Sequence, residues 1–200
     1  MTGFGTDGPV PAGKLKITIT HLEMRQRPLR VPAPPPLAKF ALLKVEEPTV
    51  RYYRYLYDSV GENWLWADRR VMPDDELLAL LRDERTAIYV LYLAGTPAGY
   101  AELFHRSAEV VELCYFGLIP EFIGRRLGPF FLDEILDTAW MAGPERVIVQ
   151  TCTLDHPKAL QLYQRAGFTP VGQETILKDD PRLSGIIPRT AAPHVPLAQG

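Results

Sequence analysis

Gly124 and Gly128 bracket Arg125, Arg126 and Leu127 at the head of a run in which Leu127, Phe130, Phe131, Ile135 and Ala139 recur at steps of three and four. That spacing predicts a helix whose first turn follows a glycine-bearing loop. The unpaired N–H groups of a first helical turn point at an incoming anion, the helix dipole favours its charge, and glycine lets backbone come close. The chemistry on offer is phosphate binding, with the guanidinium groups of Arg125 and Arg126 beside the turn. The same two glycines would equally serve a sharp entry into a helix and nothing more.

Other elements must deliver the chain to this turn and carry it away. Residues 110–118 read as the strand ahead of it, and residues 87–93 and 98–104 flank Gly95-Thr96-Pro97 as the two strands of a tight hairpin. Beyond the helix, which must end by Gly143-Pro144, residues 146–152 form a short buried strand. Asp155 can cap a further helix carrying Ala159, Leu162 and Tyr163; Gly167 ends it, and residues 168–177 offer a final strand. Toward the N-terminus, Leu15, Ile17 and Ile19 alternate with polar neighbours in a first strand over 14–24. Val50, Tyr53, Leu56, Tyr57 and Val60 then recur at helical spacing up to Gly61, and Asp74-Asp75-Glu76 open a second helix with Leu77, Leu78 and Leu81 on its apolar stripe. The order is β, α, α, β, β, β, α, β, α, β, without internal repeat.

Two hundred residues with 46% apolar and 10% aromatic content suit one compact domain, expected over 14–180. Residues 1–13 and 181–200, rich in Gly, Pro and Ala, are expected to be flexible tails. The prolines of segment 28–36 impose stiff, extended backbone, either a surface connection or a ligand for another protein. A net charge of −2 disfavours nucleic acid as a partner. Cys114 and Cys152 form no CxxC pair, so neither a metal site nor a disulfide framework is signalled. With no apolar run near the roughly 18 residues that span a bilayer and no leader pattern, a cytoplasmic location away from membranes is expected.

Two segments carry a family resemblance. Glu112-Leu-Cys-Tyr-Phe-Gly-Leu-Ile-Pro-Glu-Phe-Ile-Gly-Arg-Arg-Leu-Gly128 resembles the central strand and pyrophosphate loop, Gln/Arg-x-x-Gly-x-Gly/Ala, of the GNAT N-acetyltransferase superfamily. His156-Pro-Lys-Ala-Leu-Gln-Leu-Tyr-Gln-Arg-Ala-Gly-Phe168 resembles its Asn-x-x-Ala-x-x-Leu-Tyr-x-x-x-Gly-Phe segment. The chain departs from these patterns at Ile123, Arg126 and His156, where the family has Gln or Arg, Gly, and Asn. The resemblance implies an α/β (α+β) fold, a mixed, mostly antiparallel seven-stranded sheet with helices on both faces. It also implies transfer of an acetyl or other short acyl group from acyl-CoA to a primary amine by direct attack in a ternary complex, without metal. A homodimer would follow family habit, and a non-catalytic acyl-CoA-sensing or protein-interaction module on the same fold is the alternative.

The resemblance also assigns residues. Acetyl-CoA, as co-substrate, would meet Phe116, Gly117, Leu118, Ile123, Gly124, Arg125, Arg126, Leu127, Gly128 and His156, with a bulge expected at Gly117. Glu112 falls where some members place a glutamate base, and Tyr163 where the family places the acid that protonates the departing thiolate. Read alone, Glu112 is equally an exposed or cross-strand-paired carboxylate, and Tyr163 a core tyrosine with its hydroxyl tied off. His156 is an alternative base or a partner for backbone. Tyr57, Trp64 and Trp66 would wall the acceptor pocket, or pack the two N-terminal helices together.

Overall fold

The computed structural model describes residues 9–29 and 31–199; of the expected N-terminal tail, residues 1–8 lie outside these. Seven strands form one sheet: β1 (Lys14–Met24), β2 (Phe40–Lys44), β3 (Thr86–Leu93), β4 (Thr96–His105), β5 (Val110–Leu118), β6 (Arg146–Cys152) and β7 (Thr169–Asp179). Their order is β2-β3-β4-β5-β6-β1-β7. All neighbours are antiparallel except β5 and β6. The helices are α1 (Val50–Gly61), α2 (Asp68–Val71), α3 (Asp74–Leu81), α4 (Leu127–Met141) and α5 (Ala159–Ala166). The sheet and both long helical patterns match the expectation, while β2 and the four-residue α2 are additions. Five residues and one turn are too short to carry a period.

One face of the sheet packs Leu103, Val111, Leu113 and Val149 against Phe131, Ile135 and Tyr163 of α4 and α5. The other packs Ile88, Val90 and Tyr100 against Tyr53, Leu56, Tyr57 and Val60 of α1 and Leu77 and Leu81 of α3. α1 starts at Thr49, whose side chain accepts the Tyr52 N–H. Between β3 and β4 the turn is Ala94-Gly95, both at positive φ, so Thr96 and Pro97 belong to β4 rather than to the turn expected there.

Of three register shifts in the sheet, two bear on the site. A register shift between His21 and Leu22 sends Leu15 and Ile17 to one core cluster and Leu22 and Met24 to another. In β5, Glu102 pairs with Tyr115 and Leu103 with Leu113, leaving Cys114 as the extra residue. The expected bulge at Gly117 is therefore at Cys114. Gly117 pairs in register with Tyr100, and a Cβ there would lie 2.4 Å from Val60 Cγ1, so its glycine answers to the packing of α1.

The C-terminal segment is not the loose tail expected over 181–200. Ile187, Ala191 and Ala192 join Leu15, Ile17, Leu65 and Ala67 in a third buried cluster. Arg182 is buried against Asp180 and donates to the carbonyls of Ala191, Ala192, Val195 and Pro196. Small side chains lose little rotamer entropy on burial, so Ala and Pro pack well here despite a composition that reads as loose. Among the described residues no helix is long and apolar enough to cross a membrane.

Candidate active site

The parallel ladder of β5 and β6 runs only from Val110↔Arg146 to Leu113↔Val149. Beyond it β5 stays with β4 as far as Leu118, and β6 stays with β1 as far as Cys152, so the two strands part. The parting leaves their facing edges without ladder partners, and buried backbone in that position needs hydrogen bonds from a ligand or water. A cleft of about 970 Å³ occupies the gap and continues beneath the loop at residues 64–69.

One end of the cleft is built for an anion. Gly124 at φ +84° and Arg126 at φ +60° turn the chain into α4, whose N-terminus has no side-chain cap. Ile123, Gly124, Arg126, Leu127 and Gly128 line the cleft there, with Lys158 and Arg165 contributed from the α5 side. Pro129 has no N–H, so Leu127 and Gly128 supply the donors of the first turn. Arg125 departs from its expected role: its guanidinium lies over the Phe122 ring, 5.0 Å from the centroid, and it does not line the cleft.

The left-handed conformation of Arg126 explains why the resembling motif has glycine at this point. A residue with a Cβ is strained there by about 1–2 kcal/mol, partly offset by the greater freedom of glycine in the unfolded chain. Arg126→Gly is expected to raise stability by about 0.5–1 kcal/mol, read as a higher Tm in thermal denaturation. A lower Tm would show that the guanidinium contributes more to the fold than the backbone loses.

The centre of the cleft holds the titratable groups. The bulge at Cys114 brings Glu112, Cys114 and Tyr115 into the same wall. Glu112 is buried, and its carboxylate accepts from Arg106 Nε at 2.5 Å. The register places it across from Phe104. Tyr163 is buried on α5 between Phe116 and Phe168, at ring distances of 6.4 and 5.8 Å. Its hydroxyl has no hydrogen-bond partner among the described residues. Burial, with Asp155 adding to it, pushes the phenol well above its ordinary value, so Tyr163 carries its proton at neutral pH.

His156 lines the cleft but is poorly placed to act as a base. Its Nδ1 accepts the Lys158 N–H at 3.1 Å, so the neutral ring carries its proton on Nε2 and has no free basic nitrogen. Burial, then Lys158 and His194, lower its pKa. The ring packs on Trp64, which also packs on His194 of the C-terminal segment, at 5.4 and 5.2 Å.

All three expected wall residues line the cleft. Tyr57 is also fully buried core and accepts the Arg69 N–H; burial pushes its hydroxyl up to about 12. Trp66 sits 5.0 Å from the Tyr115 ring and donates Nε1 to Asp155 Oδ1 at 3.4 Å. Asp155 does not cap α5, which begins after Lys158; its second oxygen accepts instead from Thr151 Oγ1 and the Cys152 N–H. The carboxylate is drawn back to the end of β6 by those two donors.

Glu102 and Arg69 were not foreseen as a pair. Glu102 is buried at 1% exposure, with one oxygen on Arg69 Nη2 at 3.0 Å and the other accepting from Tyr53 Oη. The available signal was a charge inside the otherwise apolar strand at residues 98–104, since such a charge must be paired.

A sequence model of the Acetyltransferase (GNAT) family matches residues 51–168. No curated protein matches significantly. Among solved structures, the fold is similar to a functionally unknown conserved protein from Staphylococcus epidermidis, at 16% identity and a TM-score of 0.55 over 84% of this chain and 64% of that one. It is similar to a GCN5-related N-acetyltransferase from Sphaerobacter thermophilus, at 16% identity and a TM-score of 0.57 over 85% of this chain and 53% of that one. An aminoglycoside N-acetyltransferase in complex with CoA shares 19% identity at a TM-score of 0.51, over 70% of this chain and 94% of that one. The chain thus spans between about half and two thirds of the length of the first two, and at these identities the likeness is one of fold. With the family match covering more than half of its length, and the seven-stranded sheet parting ahead of the glycine-bearing turn into α4, the chain belongs to the acetyltransferase (GNAT) family.

Proposed function

We propose that the chain is an N-acyltransferase that moves an acetyl or other short acyl group from acyl-CoA to a primary amine by direct attack in a ternary complex. The observation that carries this reading is one continuous cleft holding an anion-binding helix terminus, parted strand edges, a carboxylate and a protonated phenol. The first turn of α4 with Arg126, Lys158 and Arg165 suits the phosphates of CoA. The free edge of β5 at residues 116–118 suits the amides of the pantetheine arm, and an N–H there would stabilise the oxyanion formed from the thioester carbonyl.

In this scheme the amine nitrogen bonds to the thioester carbon, Glu112 takes the proton the amine loses, and the C–S bond breaks. Tyr163 gives its proton to the departing thiolate, so amide and free CoA thiol leave in balance. Both thiols of the chain are unsuited to an acyl-enzyme route. Burial and Asp155 push Cys152 up to about 11, and burial with Glu112 and Glu102 pushes Cys114 further up. Neither is a thiolate at neutral pH.

The test is release of free thiol from acetyl-CoA in the presence of an amine panel, alongside the Tm shift that acetyl-CoA produces. A shift without thiol release from any amine would point to a sensor instead. Glu112→Gln is expected to lower kcat/KM about a hundredfold while acetyl-CoA still shifts the Tm. A kcat/KM matching that of the wild type would remove Glu112 from the mechanism.

A further inference from the structure

We propose that the acceptor is a monoamine with an apolar body of about aromatic-ring size, which lies between the loop at residues 64–68 and the strand pair β1–β7. The inference rests on the acyltransferase reading and narrows its acceptor. Charge divides the cleft into two arms. In one, Arg126, Lys158 and Arg165 have no carboxylate partner among the described residues. In the other, every lining carboxylate is engaged. Asp68 pairs with Lys178 at 2.6 Å, Glu102 with Arg69 at 3.0 Å and Glu112 with Arg106 at 2.5 Å. Among the described residues Asp155 is held by neutral donors, those of Thr151, Cys152 and Trp66, and by no cation.

The three pairs sum to zero, so this arm keeps one uncompensated negative charge. A single ammonium matches it. A polycation would have to break ion pairs in this wall, and breaking that of Glu102 strands the largely buried Arg69. Between the pairs the surface is apolar. Ile17 pairs in register with Ile176 and Ile19 with Cys152, and these side chains share a cluster with Leu65 and Ala67 of the loop. Such a lining favours an apolar body with few polar groups over a polyhydroxylated one. The arm also has its own entrance, because Asp68 and Lys178 are well exposed where they line it. An amine can therefore enter there while CoA fills the cationic arm.

The test uses the full chain with acetyl-CoA, following thiol release against phenethylamine, spermidine and the aminoglycoside sisomicin. The kcat/KM for phenethylamine is expected to exceed both others by about tenfold or more. Preference for spermidine or sisomicin overturns the proposal and leaves the acyltransferase reading standing. No thiol release with any amine overturns that reading and this proposal together. Ile176→Glu is expected to raise the KM for phenethylamine about tenfold while acetyl-CoA still shifts the Tm; a KM that stays put in a variant still binding acetyl-CoA overturns the placement. Octanoyl-CoA in place of acetyl-CoA is expected to lower kcat/KM with phenethylamine. A gain would assign the apolar arm to the acyl chain and sink the proposal.

Discussion

Tyr163→Phe is expected to lower kcat about a hundredfold while the KM for acetyl-CoA stays within about twofold. The substitution removes one oxygen from a ring held between Phe116 and Phe168, so the packing that positions α5 survives it. What is lost is a proton donor. The phenol is raised by burial and so arrives protonated at neutral pH, and its hydroxyl has no hydrogen-bond partner among the described residues. In the proposed scheme that proton is used when the C–S bond breaks, after both substrates have bound, so the loss falls on kcat. An equal loss with an acetyl thioester of a thiol more acidic than that of CoA would argue against the acid role, because a good leaving group needs little protonation. Turnover matching the wild type would remove Tyr163 from the mechanism outright.

The largest expected effect on stability belongs to Glu102→Ala. Taking the carboxylate away strands the Arg69 guanidinium, whose Nε is already buried without a partner among the described residues, and removes the acceptor of the Tyr53 hydroxyl. Breaking a buried pair from one side costs about 3–5 kcal/mol. For a chain of this length that lowers the Tm on the order of 10 °C, measurable by calorimetry. The double substitution Glu102→Ala with Arg69→Met should recover part of the loss, since an apolar pair of similar volume has no stranded charge. A double variant no more stable than the single one would show that the pair is held for the Tyr53 hydrogen bond and for the Arg69 guanidinium over the Tyr115 ring, 5.4 Å from its centroid, rather than for its charge.

How much of this was legible in the sequence depends on whether a feature has a period. β6 was readable to the residue, and α4 and α5 nearly so, because apolar residues recur and Gly143 and Gly167 mark the ends. Both glycines stand at positive φ in the structure. Bulges have no period. Cys114 looks like any other residue in an apolar strand, yet its extra position decides that Glu112 and Tyr115 share a wall. Asp155 has the right type and spacing for a helix cap, and only the tertiary fold shows that Thr151, Cys152 and Trp66 take its oxygens first. The C-terminal segment was hidden by composition, since Ala191 and Ala192 are buried for want of bulk rather than for hydrophobic strength. Arg126 was visible as a departure from a motif, but its meaning lay in a dihedral angle.

The position of β1 has a consequence for how the chain comes into being. Of the seven strands this one is made before the others, yet its two neighbours in the sheet are β6 and β7, so Met24 must wait for Val147 and Lys14 for Asp179. On the ribosome it emerges with both edges open and stays so until nearly the whole chain has followed, a long interval for a strand rich in Ile and Leu. Closing so large a loop also comes late on the folding route, because its entropy must be met before the contacts it brings can repay it. The apolar arm of the cleft, floored by that same strand, is thus among the last parts of the protein to exist.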